Sequence, residues 1–260
     1  MLAPFFARPT GRGPQEVTFL FSRFLAWGAA VAILPACWAV TRAFVRTVPG
    51  AFFHPPGSGG GWVLVPEGWA LAGGAAVYAL WHRLRPPGFL YTFVHEITHL
   101  LFGLLFGKKV NRLVVSRESG QVAMSGTNFL ITLAPYFFPF FAAIFLAAGA
   151  VAGWGAGDDR FQPLVSFLTG LALSFHVIMT FQILATSQPD IDRGGRLFSW
   201  SVIYLMGALF SGGAALAAAG GGELGPFWGE FIMEIRAVYA SAGKVILEWI
   251  RIGIAWTANG

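Results

Sequence analysis

Two histidines and a glutamate lie close together in an apolar stretch, FLYTFVHEITHLLFGLLFG, at residues 89–107. His95 and His99 are four positions apart, so on a helix they project from nearly the same face and can hold one metal ion. Glu96 lies about 100° around that helix, close enough to reach a water on the ion without binding the ion itself. The H-E-x-x-H pattern therefore predicts a zinc site with a zinc-bound water as the nucleophile and Glu96 as the general base.

The polar character of this stretch is itself informative, because an ionisable residue at the centre of a bilayer costs about 2–3 kcal/mol or more. Three such residues within five positions of an apolar segment favour a functional site. The alternative is an inert polar cluster, of which a proton relay is the main form.

A catalytic zinc needs a third protein ligand and leaves its fourth position to water. If the two membrane spans after His99 lead out and back, the chain returns at Asp190 to the side on which the histidines lie. Asp190 is therefore favoured as the third ligand. His176 lies about 20 Å from Asp190 along a helix, so the two cannot share one ion. His176 and Asp192 stay as alternatives.

Membrane helices are the elements that must position these residues. The chain is 56% hydrophobic and only 11% charged, with a mean hydropathy of +0.65, whereas soluble domains carry about 25% charged residues. Apolar segments of about 20 residues predict an all-α polytopic membrane protein with about six transmembrane helices, at 19–41, 67–82, 88–106, 128–153, 161–186 and 197–219. Pro135 and Pro139 predict a kink in the fourth of these spans.

The remaining segments are more polar. Residues 108–126 contain two β-prone runs around a turn and predict a hairpin after the H-E-x-x-H helix. A re-entrant hairpin could offer a strand edge to an extended substrate; the alternative is a hairpin exposed to solvent.

Residues 1–18 are predicted to be an N-terminal tail. Residues 221–260 are predicted to be an amphipathic helix that lies along the membrane surface. The alternative is a seventh crossing, which would have to bury Glu234, Lys244 and Glu248.

Cysteine content and charge exclude other classes of protein. Cys37 is the only cysteine, which excludes an internal disulfide and a cysteine-ligated metal cluster. The net charge of +5 comes from basic residues that flank apolar segments, which indicates contact with the lipid bilayer rather than with nucleic acid.

The sequence HEITH in a transmembrane helix, the hairpin-like insert after it and a late aspartate together resemble the site-2 protease family of intramembrane zinc metalloproteases. The resemblance covers roughly residues 88–200 and implies a metalloprotease-like membrane domain over 19–220. It implies that Glu96 is the base, that Asn128 contacts substrate, and that the zinc ligands are His95, His99 and Asp190. The chain shows no PDZ-like insert between the relevant spans, which is typical of a compact branch of that family.

Two functions of different classes follow from these patterns. The first is an intramembrane zinc metalloendopeptidase of a bacterial inner membrane, which cleaves a membrane-protein substrate in or near a transmembrane segment. The second is a catalytically inactive, protease-like scaffold or subunit of a larger membrane assembly. A zinc or proton transporter would need further polar residues in the first, second and sixth spans, which have almost none. Whether the protein forms a homo-oligomer stays open.

Overall fold

The computed structural model describes residues 14–54, 63–117, 119–153, 161–220 and 222–258, and these are mostly helical. The helices are α1 (Pro14–Phe52), α2 (Pro66–Leu84), α3 (Gly88–Leu105), α4 (Phe129–Phe137), α5 (Phe140–Val151), α6 (Gln162–Leu184), α7 (Pro189–Gly194), α8 (Arg196–Gly207), α9 (Gly213–Ala218) and α10 (Leu224–Ala258). A π-helical turn, Ala208–Gly212, joins α8 to α9. Most of the predicted N-terminal tail, residues 1–13, lies outside the described residues, and α1 already begins at Pro14.

Four described helical segments are long and apolar enough to cross a membrane: Arg23–Phe52, Gly88–Leu105, Gln162–Leu184 and Arg196–Ala218. The bent pair α4 and α5 gives a fifth if it counts as one span. Six spans are therefore not confirmed. The second predicted span is present as the helix α2, but Glu67, His82 and Arg83 near its ends lower its hydropathy.

The fourth predicted span is broken, as its prolines predict. The axes of α4 and α5 meet at 75°. Pro139 directly precedes α5 and has no N–H with which to continue the hydrogen bonds of α4. The break lets α4 pack against α3, α7 and α8, while α5 packs against α6.

Two glycines bring α2 and α6 into direct backbone contact. A Cβ on Gly74 would overlap the backbone of α6, and a Cβ on Gly170 would overlap the backbone of α2. Near the C-terminal ends of the same helices, His82 Nε2 and Gln182 Nε2 lie 2.8 Å apart. The glycine contacts precede the contact between His82 and Gln182 along both helices, so α2 and α6 run parallel.

Two antiparallel pairs of short strands complete the described part of the fold. Their strands are β1 (Phe53–His54), β2 (Val63–Leu64), β3 (Val110–Val115) and β4 (Gly120–Met124), each pair antiparallel. The hairpin of β3 and β4 confirms the prediction of a hairpin within 108–126. It folds back beside α3, since Gly120 lies against Glu96 and Met124 lies against Gly103. Its turn therefore reaches the level of the H-E-x-x-H motif.

The predicted C-terminal helix is present as α10, and its first half packs lengthwise against α1. Arg46 Nη1 and Glu230 Oε2 are 2.8 Å apart, and the Tyr239 hydroxyl donates to the carbonyl of Ala32. These contacts show that α10 runs antiparallel to α1. Its place at the membrane surface stays a prediction.

The apolar core that supports the motif is built where α3, α4, α7 and α8 meet. Its buried members are Phe102, Ile131, Leu133, Ala134, Tyr136, Phe137, Ile191, Val202 and Ile203. The core therefore joins the helix that carries the histidines to the helix that carries Asp190.

Candidate metal centre

The two histidines of the motif face each other on adjacent turns of α3. His95 Nε2 and His99 Nε2 are 3.2 Å apart, as the four-residue spacing requires on a helix. Both side chains are largely buried between α3 and α4. The pair therefore presents two ring nitrogens to one point.

Asp190 comes to the same point from a distant part of the chain. It lies in the first turn of α7, directly after Pro189, a favoured first residue of a helix. Asp190 Oδ2 lies 3.8 Å from His99 Nε2. One ligand atom from each of His95, His99 and Asp190 lies within 4.8 Å of the others, a geometry that could hold a metal ion. We call these three residues the candidate metal site.

The two alternative ligands lie outside this group among the described residues. Asp192 is half-exposed, and its Oδ1 accepts a hydrogen bond of 3.1 Å from Arg196 Nε. His176 is in the middle of α6, a helix that contributes no residue to the group.

The donor set fits zinc. His99 Nδ1 lies 2.8 Å from the carbonyl oxygen of Ile131. Because a carbonyl only accepts, that nitrogen carries the proton and His99 Nε2 keeps a free lone pair. The lone pair points towards a second imidazole nitrogen and a carboxylate oxygen. A catalytic zinc can be held by two imidazole nitrogens and one carboxylate oxygen, and its fourth position is then left to water.

Two tyrosines that the sequence did not single out also contact the candidate ligands. The Tyr91 hydroxyl lies 3.2 Å from His95 Nδ1, and the Tyr136 hydroxyl donates to Asp190 Oδ2 at 3.3 Å. Tyr91 could have been found, because it lies one helical turn before His95. Tyr136 could not, because its partner is 54 residues away along the chain.

Glu96 lies beside the candidate metal site but is not part of the ligand group. Its side chain is 8% exposed and is covered by the start of β4. A Cβ on Gly120 would lie 2.6 Å from Glu96 Oε1 and 2.8 Å from Cδ, so only glycine fits there without displacing the carboxylate.

A cleft of about 740 Å³ opens over these residues. Its walls are α3, β4, the segment that follows β4, α4 and α7. They bring together His95, Glu96, His99, Gly120, Gln121, Val122, Ala123, Met124, Ser125, Gly126, Thr127, Ile131, Thr132, Pro189, Asp190 and Arg193. One wall contains the extended strand β4, in which Gly120 and Ala123 are small, so the cleft can receive an extended chain.

Asn128 is positioned just before α4. Its Oδ1 accepts a hydrogen bond of 2.9 Å from the N–H of Ile131 and so caps the helix. The predicted contact of Asn128 with substrate stays a prediction.

Residues 70–186, a little under half of the chain, match the sequence profile of the Peptidase M50B-like family. This segment is similar to the Peptidase M50B-like family. The M50B-like segment includes the H-E-x-x-H motif, the hairpin and α6, and it ends just before Asp190. The match is consistent with the site-2 protease-like family, so the predicted resemblance is confirmed. No curated protein and no solved structure matches the chain.

The M50B-like segment and the apolar helices together indicate an integral membrane protein that is related to membrane metalloproteases. They do not favour the inactive scaffold.

Proposed function

We propose that the protein is an intramembrane zinc metalloendopeptidase that hydrolyses a peptide bond in or near a transmembrane segment of a partner protein. The observation that carries this proposal is the convergence of His95, His99 and Asp190 in one cleft beside Glu96. The M50B-like match and the apolar helices support it.

His95, His99 and Asp190 would hold the zinc ion. When bound, zinc polarises the carbonyl of the scissile bond and lowers the pKa of water to about 7. Glu96 accepts the proton of the attacking water and then delivers it to the leaving amine. The burial of Glu96 beneath β4 keeps bulk water away from this proton.

The substrate binds in extended form, because a helix hides its carbonyls in hydrogen bonds. β4 lines the cleft beside Glu96, and a substrate strand can pair with its free edge. The small residues Gly120, Ala123 and Gly126 leave room for the side chains of that strand. Irregular backbone is tolerated at membrane depth where it lines a cavity of this kind.

Asn128 contributes to substrate binding through its amide nitrogen. Its Oδ1 already accepts the N–H of Ile131, so Nδ2 is the group left for a substrate carbonyl. The partner is a membrane protein in a lipid environment, and we assign the enzyme to a bacterial inner membrane.

The first test is the zinc content of the purified, detergent-solubilised protein. We expect about one zinc per chain. No zinc in the intact protein would overturn the proposed function and favour the inactive scaffold.

The second test is cleavage by Glu96→Gln of a single-span membrane protein that carries helix-breaking glycines in its transmembrane segment. We expect zinc to be retained and cleavage to fall by about 10²–10⁴-fold, because the general base is lost. Glu67→Gln, on α2, is the matched control and should cleave normally. Cleavage that persists in Glu96→Gln would contradict the assigned base.

A further inference from the structure

One short helix contacts all three candidate ligands. From α4, the carbonyl oxygen of Ile131 lies 2.8 Å from His99 Nδ1. The ring of Tyr136 packs edge-on against the ring of His95, with centroids 5.3 Å apart. The hydroxyl of the same tyrosine reaches Asp190 Oδ2 at 3.3 Å. α4 is thus the shared support of a site whose ligands come from two other helices.

The Tyr136 hydroxyl belongs to a buried residue. Tyr136 is only 2% exposed, so water cannot readily take the place of its hydroxyl. The hydroxyl has one proton and two possible acceptors, Asp190 Oδ2 at 3.3 Å and Gln188 Oε1 at 3.4 Å. A hydrogen bond to a carboxylate is about twice as strong as one to a neutral amide, so the proton goes to Asp190.

Asp190 depends on this hydroxyl for its orientation. It lies in α7, a helix of six residues. Arg193 Nη1 is 3.9 Å from Asp190 Oδ1, beyond hydrogen-bond distance, and its side chain is 63% exposed. Within the described parts of the chain, Tyr136 is therefore the residue that donates a hydrogen bond to this carboxylate. The oxygen it holds is the one that lies 3.8 Å from His99 Nε2.

We propose that Tyr136 is a positioning residue that fixes Asp190 Oδ2 towards the two imidazoles and thereby raises the affinity of the site for zinc. The inference rests on the proposed function. It extends that function to a residue outside the ligand group that does not line the cleft. Partners of this kind typically change metal affinity by about 10–100-fold when they are removed.

The test is the dissociation constant of zinc from the full-length protein, measured in detergent by competition with a chromophoric chelator. Tyr136→Phe removes the hydroxyl and keeps the ring against His95. We expect the dissociation constant to rise about 10-fold. Tyr204→Phe is the matched control, because it removes a hydroxyl that bonds Thr41 Oγ1 at 2.7 Å, between α1 and α8. Its zinc affinity should not change.

Two further variants separate a positioning role from a structural one. Gln188→Leu removes the competing acceptor and should leave the affinity unchanged. If it weakens zinc binding as much as Tyr136→Phe does, the hydroxyl acts through the segment before α7 and the proposal is overturned. 4-Aminophenylalanine at position 136 restores a donor and should restore affinity. It also serves as the comparison if Tyr136→Phe fails to fold.

The remaining outcomes distinguish this inference from the proposed function. Equal zinc affinity in the unaltered protein and in Tyr136→Phe overturns the role of Tyr136 alone. Absence of zinc from the unaltered protein overturns both.

Discussion

Within the described part of the chain, two clusters of ionisable side chains that lie among apolar helices are built in opposite ways. The first is the candidate metal site. The second, which we call the arginine–glutamate cluster, lies between α1 and α10 and consists of Arg42, Arg46, Glu230 and Glu234. Each cluster joins segments that are distant along the chain, and each would be costly to bury without compensation.

The arginine–glutamate cluster compensates itself. Arg46 Nη1 lies 2.6 Å from Glu234 Oε1, and Arg42 Nε makes an ion pair of 3.0 Å with Glu234 Oε2. Glu230 adds a contact of 2.8 Å with Arg46. Two positive and two negative charges therefore neutralise each other within the chain.

The candidate metal site does not compensate itself. Two imidazole nitrogens and a carboxylate oxygen converge, and the nearest described cation, Arg193, stays 3.9 Å from Asp190 and mostly in solvent. The difference teaches how to separate structural from functional polar clusters in a membrane protein. A cluster of complementary charges holds helices together, whereas a cluster of electron-pair donors needs a cation from outside the chain.

The largest expected effect comes from removing a ligand. His99→Ala and Asp190→Ala should each reduce bound zinc from about one per chain to near zero, because a catalytic zinc needs three protein ligands. Elemental analysis of the purified variants measures this. Asp192→Ala is the control, since Asp192 pairs with Arg196 and not with the site. Zinc retained in Asp190→Ala but lost in Asp192→Ala would reverse the assignment of the third ligand.

Gly120→Ala should separate the base from the ligands. The new methyl group would displace the Glu96 carboxylate, and a misplacement of about 1 Å costs about 100-fold in rate. We expect cleavage to fall by this factor while zinc content is unchanged. Gly88→Ala, at the start of α3, is the control, because its Cβ would meet nothing within 4 Å. Loss of zinc in Gly120→Ala would show that the hairpin supports the ligands as well.

The smallest effect should come from the arginine–glutamate cluster. Glu234→Gln leaves two arginines close together with only Glu230, so the thermal unfolding midpoint should fall by a few degrees, on the order of 3 °C. The arginines are 42% and 46% exposed. The difference should therefore shrink between about 0.1 M and about 1 M NaCl, where salt screens exposed charges.

The zinc content of the Glu234→Gln protein tests whether the two clusters are independent of each other. It should be unchanged in Glu234→Gln. Glu230→Gln should have a smaller effect on stability, because among the described residues Glu230 makes an ion pair with one arginine and Glu234 with two. Loss of zinc in Glu234→Gln would mean that the two clusters are coupled and that the comparison fails.

Much of the site geometry could be predicted because it is local. Helical spacing alone brings His95 and His99 together, and the turn residues around Arg117 predict a hairpin. That Asp190 lies near these histidines could be predicted only by counting membrane crossings. That estimate placed it beside the histidines, although the chain between them contains a broken helix and fewer confirmed spans than expected.

Apart from the approach of Asp190 to the histidines, the contacts between distant segments could not be predicted. The hydroxyl of Tyr136 and the close fit of Gly120 against Glu96 depend on how α4 and β4 pack on α3, and no periodicity encodes that packing. The pairing of α10 with α1 was missed for a related reason. The amphipathic pattern of residues 221–260 does not indicate a partner helix, whereas in the structure Arg42 and Arg46 lie opposite Glu230 and Glu234.

The backbone contact between α2 and α6 has a consequence for how the sequence can vary. At Gly74 and Gly170 any L-amino acid other than glycine would place a carbon atom inside the neighbouring main chain, and main-chain atoms cannot rotate away as a side chain can. Neither position lines the cleft. Saturation mutagenesis should therefore find two positions without chemical function that tolerate replacement as poorly as the zinc ligands do.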